Sequence, residues 1–418
     1  MDFNPSKPRI MHIDINSCFA TIEQQANPAL RGHPIAVGAY NSPSGCILAA
    51  SIEAKQYGVK TGMRVIDGKR LCPSLYVVYP DTNKYRFVHS KMHEILDTYC
   101  SRVFPKSIDE FVLDFSNHAL LKKQNITSVA REIKQKIREE IGEWMSVSVG
   151  ISTNRQLAKV AAGIKKPDGL VEINKDNFLD IYKGLKLTDL NGVGVRYEAR
   201  LNSVGIYTVI GLYNSPFHHL QTAFKSVNAH YWFTRLRGWE ADLPAQAGAA
   251  EFATKSFGHS YSIPENLTHA EALKPILAKL VNKATSRMRK HGFSAHGVHV
   301  GVSLKGGGYI HHGERLGEPV FYTSEIFKNA YRILCKFKIP LPVHTLSVTC
   351  YDLFPGESLQ LSVFEDLKKK RSLAETIDKV NNRFGNFVLM TANMLPAGSA
   401  VPDRIAFGRG GLSGISGQ

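Results

Sequence analysis

Apolar and polar residues follow two different periods over the first 170 positions. Short apolar runs predict β-strands, first in RIMHIDI (9–15) and later in MSVSVGI (145–151). Longer stretches repeat apolar residues every three or four positions and predict helices, among them VHSKMHEILDTYCSRV (88–103) and TSVAREIKQKIREEIGEW (127–144). Strands that alternate with helices predict an α/β fold for this part of the chain.

One strand-like stretch, SIDEFVLDF (107–115), carries an acid on a face that is otherwise apolar. Because side chains alternate between the two faces of a strand, Asp109 shares a face with Phe111 and Leu113. A buried carboxylate costs free energy unless its charge is compensated. Glu110 adds a second carboxylate beside the first, so the start of this strand calls for a cation.

A third carboxylate, Asp14, ends the first predicted strand. The helix NSCFATIEQQ (16–25) begins there, with Asn16 as a suitable N-cap. Two strands that each deliver acids can bring three carboxylates to one point, and two Mg²⁺ ions would relieve their repulsion. Two such ions also stabilise the attacking and leaving oxygens of a phosphoryl transfer. Taken alone, an acid pair beside a strand is more often a solvated edge or a salt bridge.

After residue 170 the pattern of apolar and polar residues divides the chain into further segments. Residues 171–240 have short helical steps centred on LTDLNGVGVRYEARLNSVGIYTVIGLY, and LPAQAGAAEFA (243–253) has the small residues of a linker. From 254 to 352, alternating strands and two helical stretches predict a second α/β unit. The tail from 353 ends in GRGGLSGISGQ, a composition typical of flexible segments.

Charge is the most informative property of the composition. The 418 residues include 52 Lys and Arg against 36 Asp and Glu, a formal net charge of +16. This balance favours a polyanionic partner, and nucleic acid before lipid. Six cysteines without CxxC spacing predict neither a zinc site nor a disulfide framework. Since no apolar run has the length of a membrane span and no signal-peptide pattern is present, we expect a cytoplasmic protein.

Four stretches, taken together in their order and spacing, resemble the polymerase core of Y-family translesion DNA polymerases of the bacterial polymerase IV and V type. They are MHIDINSCFATIE (11–23), GCILAASIEAKQYGVKTGM (45–63), SIDEFVLDFS (107–116) and VSVGISTNRQLAKVAAGIKKPDGL (147–170). The resemblance implies a right-hand architecture of the α/β multidomain class. Its parts would be a palm (1–25 and 81–172), fingers (26–80), a helical thumb (173–242), the linker, an α/β little-finger domain (254–352) and a tail (353–418).

The resemblance also implies roles for individual residues of the core. Three catalytic acids, Asp14, Asp109 and Glu110, would bind two Mg²⁺ ions. The backbone carbonyl of Ile15 would be a further metal ligand. Phe19 would be the steric gate, which excludes ribonucleotides by crowding the 2′-hydroxyl.

The nucleotide-binding positions match the family only in part. Lys166, in KKPDG, matches the lysine that binds the triphosphate in the family. Asn16 stands where the family often has a second acid, and Ile52 and Lys55 stand where it often has a tyrosine and an arginine. Lys55 can still meet a phosphate as a point charge, but it lacks the bidentate fork of arginine. We therefore expect a catalytically active protein whose affinity for the nucleotide is lower than is usual in the family.

Two segments are candidates for holding DNA. The stretch LNGVGVRYEARLNSVGI (190–206) resembles a helix-hairpin-helix, in which Gly192 and Gly194 would let backbone amides reach a phosphate. The run KATSRMRKHG (283–292) lies in the unit that resembles a little finger, although such a run is as often a solvated helix face. Its candidate phosphate contacts are Lys283, Arg287, Arg289 and Lys290.

A short motif near the C-terminus, QLSVF (360–364), resembles the pentapeptide with which bacterial proteins bind the sliding clamp. Leu361 and Phe364 would be buried anchors, and Gln360 would supply hydrogen bonds. The motif points to a bacterial or phage source. An ordinary amphipathic strand is the alternative.

These features predict a monomeric DNA-directed DNA polymerase that binds primer–template DNA and adds dNTPs to the primer 3′-hydroxyl. Low-fidelity translesion synthesis in DNA repair and damage tolerance is the expected role. One alternative is a non-catalytic, clamp-bound DNA scaffold related to the same family. Another is a helix-hairpin-helix repair nuclease, which would use water as its nucleophile. The complete set of three acids favours the polymerase over the scaffold.

Overall fold

A computed structural model describes residues 1–39, 43, 45–116, 118–122, 124–241, 254–355, 367–385 and 387–401. The described residues before 242 form one compact unit, and those of 254–401 form a second. Each unit combines sheet and helix, so the predicted α/β multidomain class is confirmed. The predicted linker (243–253) and the predicted clamp motif, with Gln360, Leu361 and Phe364, lie outside the described residues. Within the described ranges, no helix is both long and apolar enough to cross a membrane.

A five-stranded sheet forms the centre of the first unit. Its strand order is β5-β6-β1-β7-β8, and β1 runs antiparallel to both of its neighbours. The strands are β1 (Ile10–Ile15), β5 (Val103–Pro105), β6 (Glu110–Asp114), β7 (Val147–Ser152) and β8 (Leu170–Glu172). The predicted strands that carry Asp14 and Glu110 are therefore direct neighbours.

Alternation along these strands separates an apolar face from a polar one. Met11, Ile13, Phe111 and Leu113 point into a buried core that also receives apolar residues of three helices. These helices are α1 (Cys18–Ala26), α4 (Thr82–Asp97) and α5 (Ile126–Glu140). Residues at the intervening positions therefore face the opposite side of the sheet.

The opposite side of the sheet is covered by helix α6 (Arg155–Ile164), which lies unusually close to β7. The approach requires Gly150, because a Cβ atom at that position would lie 2.0 Å from the carbonyl oxygen of Ala158. The small residues Ala158, Ala161 and Ala162 give α6 a surface that fits this contact. The helix is thereby held beside the polar ends of β1 and β6.

Two smaller parts complete the first unit. A three-stranded sheet, in the order β3-β2-β4, packs with two short helices around a separate apolar cluster. These elements are β2 (Ile35–Gly38), β3 (Ile47–Ala50), α2 (Ile52–Gln56), α3 (Val65–Leu71) and β4 (Tyr76–Val78). The other part is helical and has its own core. Its helices are α7 (Phe178–Gly184), α8 (Val195–Asn202), α9 (Val209–Asn214), α10 (Phe217–Phe224) and α11 (Asn228–Arg235).

The second unit is a four-stranded antiparallel sheet with helices packed on its apolar face. The strand order is β11-β10-β12-β9. The strands are β9 (Ser256–Ser262), β10 (Phe293–Leu304), β11 (Tyr309–Val320) and β12 (Val343–Pro355). The helices α12 (Ala270–Lys290) and α13 (Thr323–Cys335) supply the other half of the core. Sheet and helix are thus combined in this unit as well.

The structure adds a C-terminal helix, which the sequence analysis assigned to a tail. Helix α14 (Leu367–Phe384) is tied to α12 by Arg289, whose Nε and Nη2 atoms donate to the carboxylate of Asp378 at 2.7 and 2.9 Å. Farther along, Lys279 on α12 donates to the carbonyl oxygens of Gly398 and, at 3.2 Å, Ala400. The folded unit therefore extends beyond the predicted boundary at residue 352.

We expect the Asp378→Asn substitution to loosen α14. It replaces a charge-assisted, bidentate pair that is largely shielded from water, an interaction worth about 2 kcal/mol. Amide hydrogen exchange in α14 should then become roughly 30-fold faster. Glu375→Gln is the control, because the pair of Glu375 with Arg371 is half exposed and should matter little. Equal exchange in the two variants would contradict the proposed anchor.

Candidate active site

Two carboxylates face each other across neighbouring strands at one end of the central sheet. Asp14 on β1 is the register partner of Glu110 on β6, so their side chains lie on the same face. His12, two residues before Asp14, also lies on this face. One ligand atom from each of the three residues can be chosen so that all three lie within 4.8 Å of one another.

Asp109 occupies a different position from the other two acids. It precedes β6, and its carbonyl oxygen accepts the backbone N–H of Ile15 at 2.9 Å. Its carboxylate accepts the hydroxyl of Ser107 at 2.5 Å. Alternation places it on the side of Phe111, as the sequence predicts, whereas Glu110 points to the opposite side. Asp14 and Glu110 therefore form a group with His12 that does not include Asp109. The charge of Asp109 nevertheless acts on Asp14, because besides burial the charges of Glu110 and Asp109 raise the pKa of that carboxyl.

Two lysines neutralise the paired acids. Lys166 Nζ lies 2.8 Å from Asp14 Oδ2, and Lys159 Nζ donates to both carboxylate oxygens of Glu110 at 2.9 and 2.7 Å. The sequence analysis identified Lys166 but missed Lys159. The signal was its position two helical turns before Lys166, on the helix that leads into the KKPDG loop.

Burial controls the protonation of the groups at this end of the sheet. It raises the pKa of Asp14, an effect that the ion pair with Lys166 opposes. Burial, followed by the charges of Lys159, Lys166 and Lys106, lowers the pKa of His12 to about 3. The His12 imidazole is therefore neutral at pH 7.

Asn16 is not the N-cap that the sequence predicts. Helix α1 begins at Cys18 after Ser17, and Asn16 is 3% exposed and bonded across the sheet. Its Nδ2 donates to Ser148 Oγ at 2.8 Å, and its Oδ1 accepts the backbone N–H of Asp168 at 2.8 Å. Asn16 therefore anchors the loop that places Lys166 beside Asp14.

If Lys166 binds the triphosphate, as the resemblance implies, the Asn16→Ala substitution should weaken nucleotide binding more than the chemical step. It leaves Ser148 and the Asp168 amide without their partner, at about 1 kcal/mol or more per bond, and the Lys166 loop loses its anchor. Single-nucleotide insertion should show KM for the dNTP raised about tenfold. Asn4→Ala is the control, because Asn4 is also buried and its side chain makes two hydrogen bonds, to the Gly238 carbonyl oxygen and from the Ser6 amide, that do not involve the acids or the Lys166 loop. Unchanged KM in Asn16→Ala would refute the anchoring role.

The other candidate nucleotide-binding residues lie on α1 and α2. Lys55 Nζ donates to Ser17 Oγ at 2.8 Å, and desolvation together with Lys166 lowers the pKa of Lys55. Phe19 is 3% exposed and stacks on Tyr85 with ring centroids 4.3 Å apart. Ile52 is the first residue of α2 and is half-buried.

The glycines of the predicted helix-hairpin-helix lie in an exposed turn before α8. Gly192 has φ +109°, a backbone conformation that favours glycine. Gly194 precedes the first residue of α8, Val195, which is 73% exposed. Both glycines are exposed, whereas the amide of Val193 between them donates to the carbonyl oxygen of Leu190 at 2.8 Å.

The predicted basic cluster on α12 is engaged largely within its own unit. Arg289 is bound to Asp378, Arg287 donates to the carbonyl oxygen of Gly258, and Lys283 lies over the ring of Phe387 at 5.5 Å. Lys290 is exposed. The run has the expected charge, and three of its four cations have partners from distant parts of the chain. Their role in phosphate binding stays a prediction.

Comparison with known proteins relates both units to one family. The impB/mucB/samB family matches residues 13–163, and the C-terminal domain of that family matches residues 254–363. DNA polymerase IV of Acetivibrio thermocellus is 30% identical over 384 residues, which cover 90% of this chain and 95% of the relative. DNA polymerase IV 1 of Bacillus subtilis is 30% identical over 387 residues, covering 91% and 92%.

Solved structures give the same relationship at the level of the fold. The Y-family DNA polymerase chimera Dbh-Dpo4(243-245)-Dbh superposes with a TM-score of 0.72 at 25% identity. The match covers 82% of this chain and 99% of the chimera. DinB from Sulfolobus solfataricus has a TM-score of 0.51 at 25% identity, over 82% and 98%.

Proposed function

Because the chain belongs to the Y family of translesion DNA polymerases, we propose that it extends a primer 3′-hydroxyl by metal-dependent phosphoryl transfer. It is a DNA-directed DNA polymerase with the α/β multidomain fold of its family. The observation that carries the proposed mechanism is the pairing of Asp14 with Glu110 across β1 and β6, beside Lys166. The division into palm, fingers, thumb, little finger and tail stays a prediction.

The donor set at this end of the sheet fits divalent cations. Asp14 and Glu110 offer hard oxygen ligands within one group. Asp109 and the Ile15 carbonyl are further candidates, which the resemblance implies. We infer two Mg²⁺ ions, which when bound offset the charge that develops on the attacking and leaving oxygens. Lys159 and Lys166, which now balance the two paired carboxylates, would give up these contacts.

The nucleotide would lie between the acids and the first residues of α1 and α2. Lys166 would exchange its contact with Asp14 for the triphosphate, and Lys55 would donate from the side of Ser17. Both act as point charges, without the fork of an arginine. Phe19 would face the sugar as the steric gate. These roles are implied by the family resemblance and are proposed here for specific side chains of this chain.

DNA would be held mainly through its phosphates. The exposed turn with Gly192 and Gly194 is the best candidate in the helical part, because backbone amides can bind the phosphate of a nucleotide whatever its base. Lys283, Arg287, Arg289 and Lys290 stay the candidates in the second unit, and Lys290 is the most exposed of them. The motif with Gln360, Leu361 and Phe364 stays our proposal for binding a sliding clamp, as does a monomeric enzyme in the cytoplasm.

Primer extension tests the proposed function. The full chain should extend an undamaged primer–template with Mg²⁺, stop when the metal is chelated, and resume when Mg²⁺ is restored. Templates with a lesion then test translesion synthesis. Shortened products would indicate a nuclease, and DNA binding without extension would indicate a scaffold.

A further inference from the structure

His12 is a buried histidine whose two ring nitrogens are not satisfied by the described side chains around them. It is 2% exposed, and neither ring nitrogen has a hydrogen-bond partner in the part of the chain that the structure describes. Burying polar nitrogens without partners costs free energy, so such groups in a native protein call for a ligand or a water. The sheet directs this side chain to the same face as Asp14 and Glu110.

The geometry around His12 suits a shared metal ion better than a direct hydrogen bond. Nε2 lies 3.9 Å from Glu110 Oε2, which is too long for a hydrogen bond. Two ligands that each lie about 2.1 Å from one ion are separated by about 3 to 4.2 Å. The candidate atoms of His12, Asp14 and Glu110 all lie within 4.8 Å, so small side-chain shifts would close the site.

The donor atoms determine the class of ion. Mg²⁺ prefers oxygen and rarely accepts an imidazole, whereas first-row transition ions accept nitrogen and oxygen together. We propose that His12, Asp14 and Glu110 bind one divalent cation of the Mn²⁺, Co²⁺ or Zn²⁺ class, with the His12 imidazole as a direct ligand. This inference rests on the proposed function only in placing a cation between the two acids.

The bound ion would compete with Lys159. That lysine holds both oxygens of Glu110, and a divalent ion would replace its single charge with two. The site would therefore favour Mn²⁺ over Mg²⁺ in the enzyme without DNA, because only the former gains the nitrogen ligand.

Mn²⁺ is the probe that reports this ligand directly. Electron spin-echo envelope modulation of Mn²⁺ bound to the full chain should show coupling to an imidazole nitrogen. His12→Gln should abolish this coupling and weaken Mn²⁺ binding about tenfold or more, while Mg²⁺ binding, measured by competition, changes less than about threefold. His12→Leu provides a second, apolar replacement if the glutamine variant folds poorly.

His89 provides the matched control. It is 3% exposed in the same unit, but its Nδ1 is bonded to the carbonyl oxygen of Ile108 at 3.0 Å and its ring stacks on Phe111. His89→Gln should keep the nitrogen coupling of the wild type. Absence of coupling in the wild type, or its survival in His12→Gln, would overturn the proposal.

The spectroscopic result and primer extension separate the two proposals. Extension with Mg²⁺ but no imidazole coupling would remove the His12 ligand and leave the polymerase mechanism intact. Coupling without any extension would support the metal site and refute the proposed reaction. Even if every His12 variant is unstable, the absence of nitrogen coupling in the wild-type spectrum would still refute the proposed imidazole ligand.

Discussion

Replacing Asp109 by alanine is expected to lower primer extension by a factor of about 10³ or more while DNA binding persists. A carboxylate that holds a catalytic ion contributes several kcal/mol to the transition state, and each 1.36 kcal/mol is a factor of ten in rate. Asp109 follows a loop rather than lying inside β6, and Ser107 is the partner of its carboxylate. A rotation of this side chain toward Asp14 would complete the three acids when the ions bind.

Asp114 offers a matched control on the same strand. It is more buried than the site acids, it pairs with Arg102 at 2.8 Å, and it belongs to the other end of β6. Asp114→Asn should reduce stability and leave the extension rate of the folded enzyme nearly unchanged. Single-turnover extension and DNA binding by fluorescence anisotropy should be measured on both variants. Normal extension by Asp109→Ala would remove this residue from the catalytic set.

Asp14 and Glu110 could be predicted because their positions depend only on the alternation of residues within their own strands. A period of two places Asp14 at the end of one strand and Glu110 at the start of another, and both strands form as expected. The same rule separates Asp109 from Glu110 by strand face. It could also have identified His12, two residues before Asp14, as a member of the same group.

The role of Asn16 could not be read from its neighbours. Its residue type and its place before a helix are typical of an N-cap. Its actual partners, Ser148 and Asp168, are 132 and 152 residues away along the chain. Only the packing of β1 against β7 and the return of the chain after α6 bring these groups together.

The partners of the basic residues on α12 could not be predicted either. The number of cations follows from the sequence, but the groups that they contact depend on the folded structure. Arg289 binds Asp378, and Lys283 lies over the ring of Phe387. In the structure, therefore, these candidate DNA-binding side chains also contact the C-terminal segment. The helix α14 itself has a modest apolar stripe among many charges, and it is stabilised by tertiary contacts more than by its own propensity.

Phe19→Val is expected to relax the discrimination against ribonucleotides by roughly 10- to 200-fold, the range for removing one steric contact from a pocket. The ring of Phe19 is held rigidly because it stacks on Tyr85, whose hydroxyl donates to Glu23 at 2.8 Å. Burial raises the pKa of Tyr85, so this hydroxyl stays protonated and remains a donor. A wall fixed in this way can exclude a 2′-hydroxyl by position alone.

The loss of stability in Phe19→Val must be separated from the loss of selectivity. Phe115→Val removes the same atoms from the same core cluster, since Phe115 is 1% exposed and belongs to it as well. Both variants should be destabilised, but only Phe19→Val should raise the ratio of kcat/KM for a ribonucleotide to that for its deoxynucleotide. Single-nucleotide insertion with matched pairs gives this ratio. If the two variants keep the wild-type ratio, Phe19 is a core aromatic and another residue must limit access of the 2′-hydroxyl.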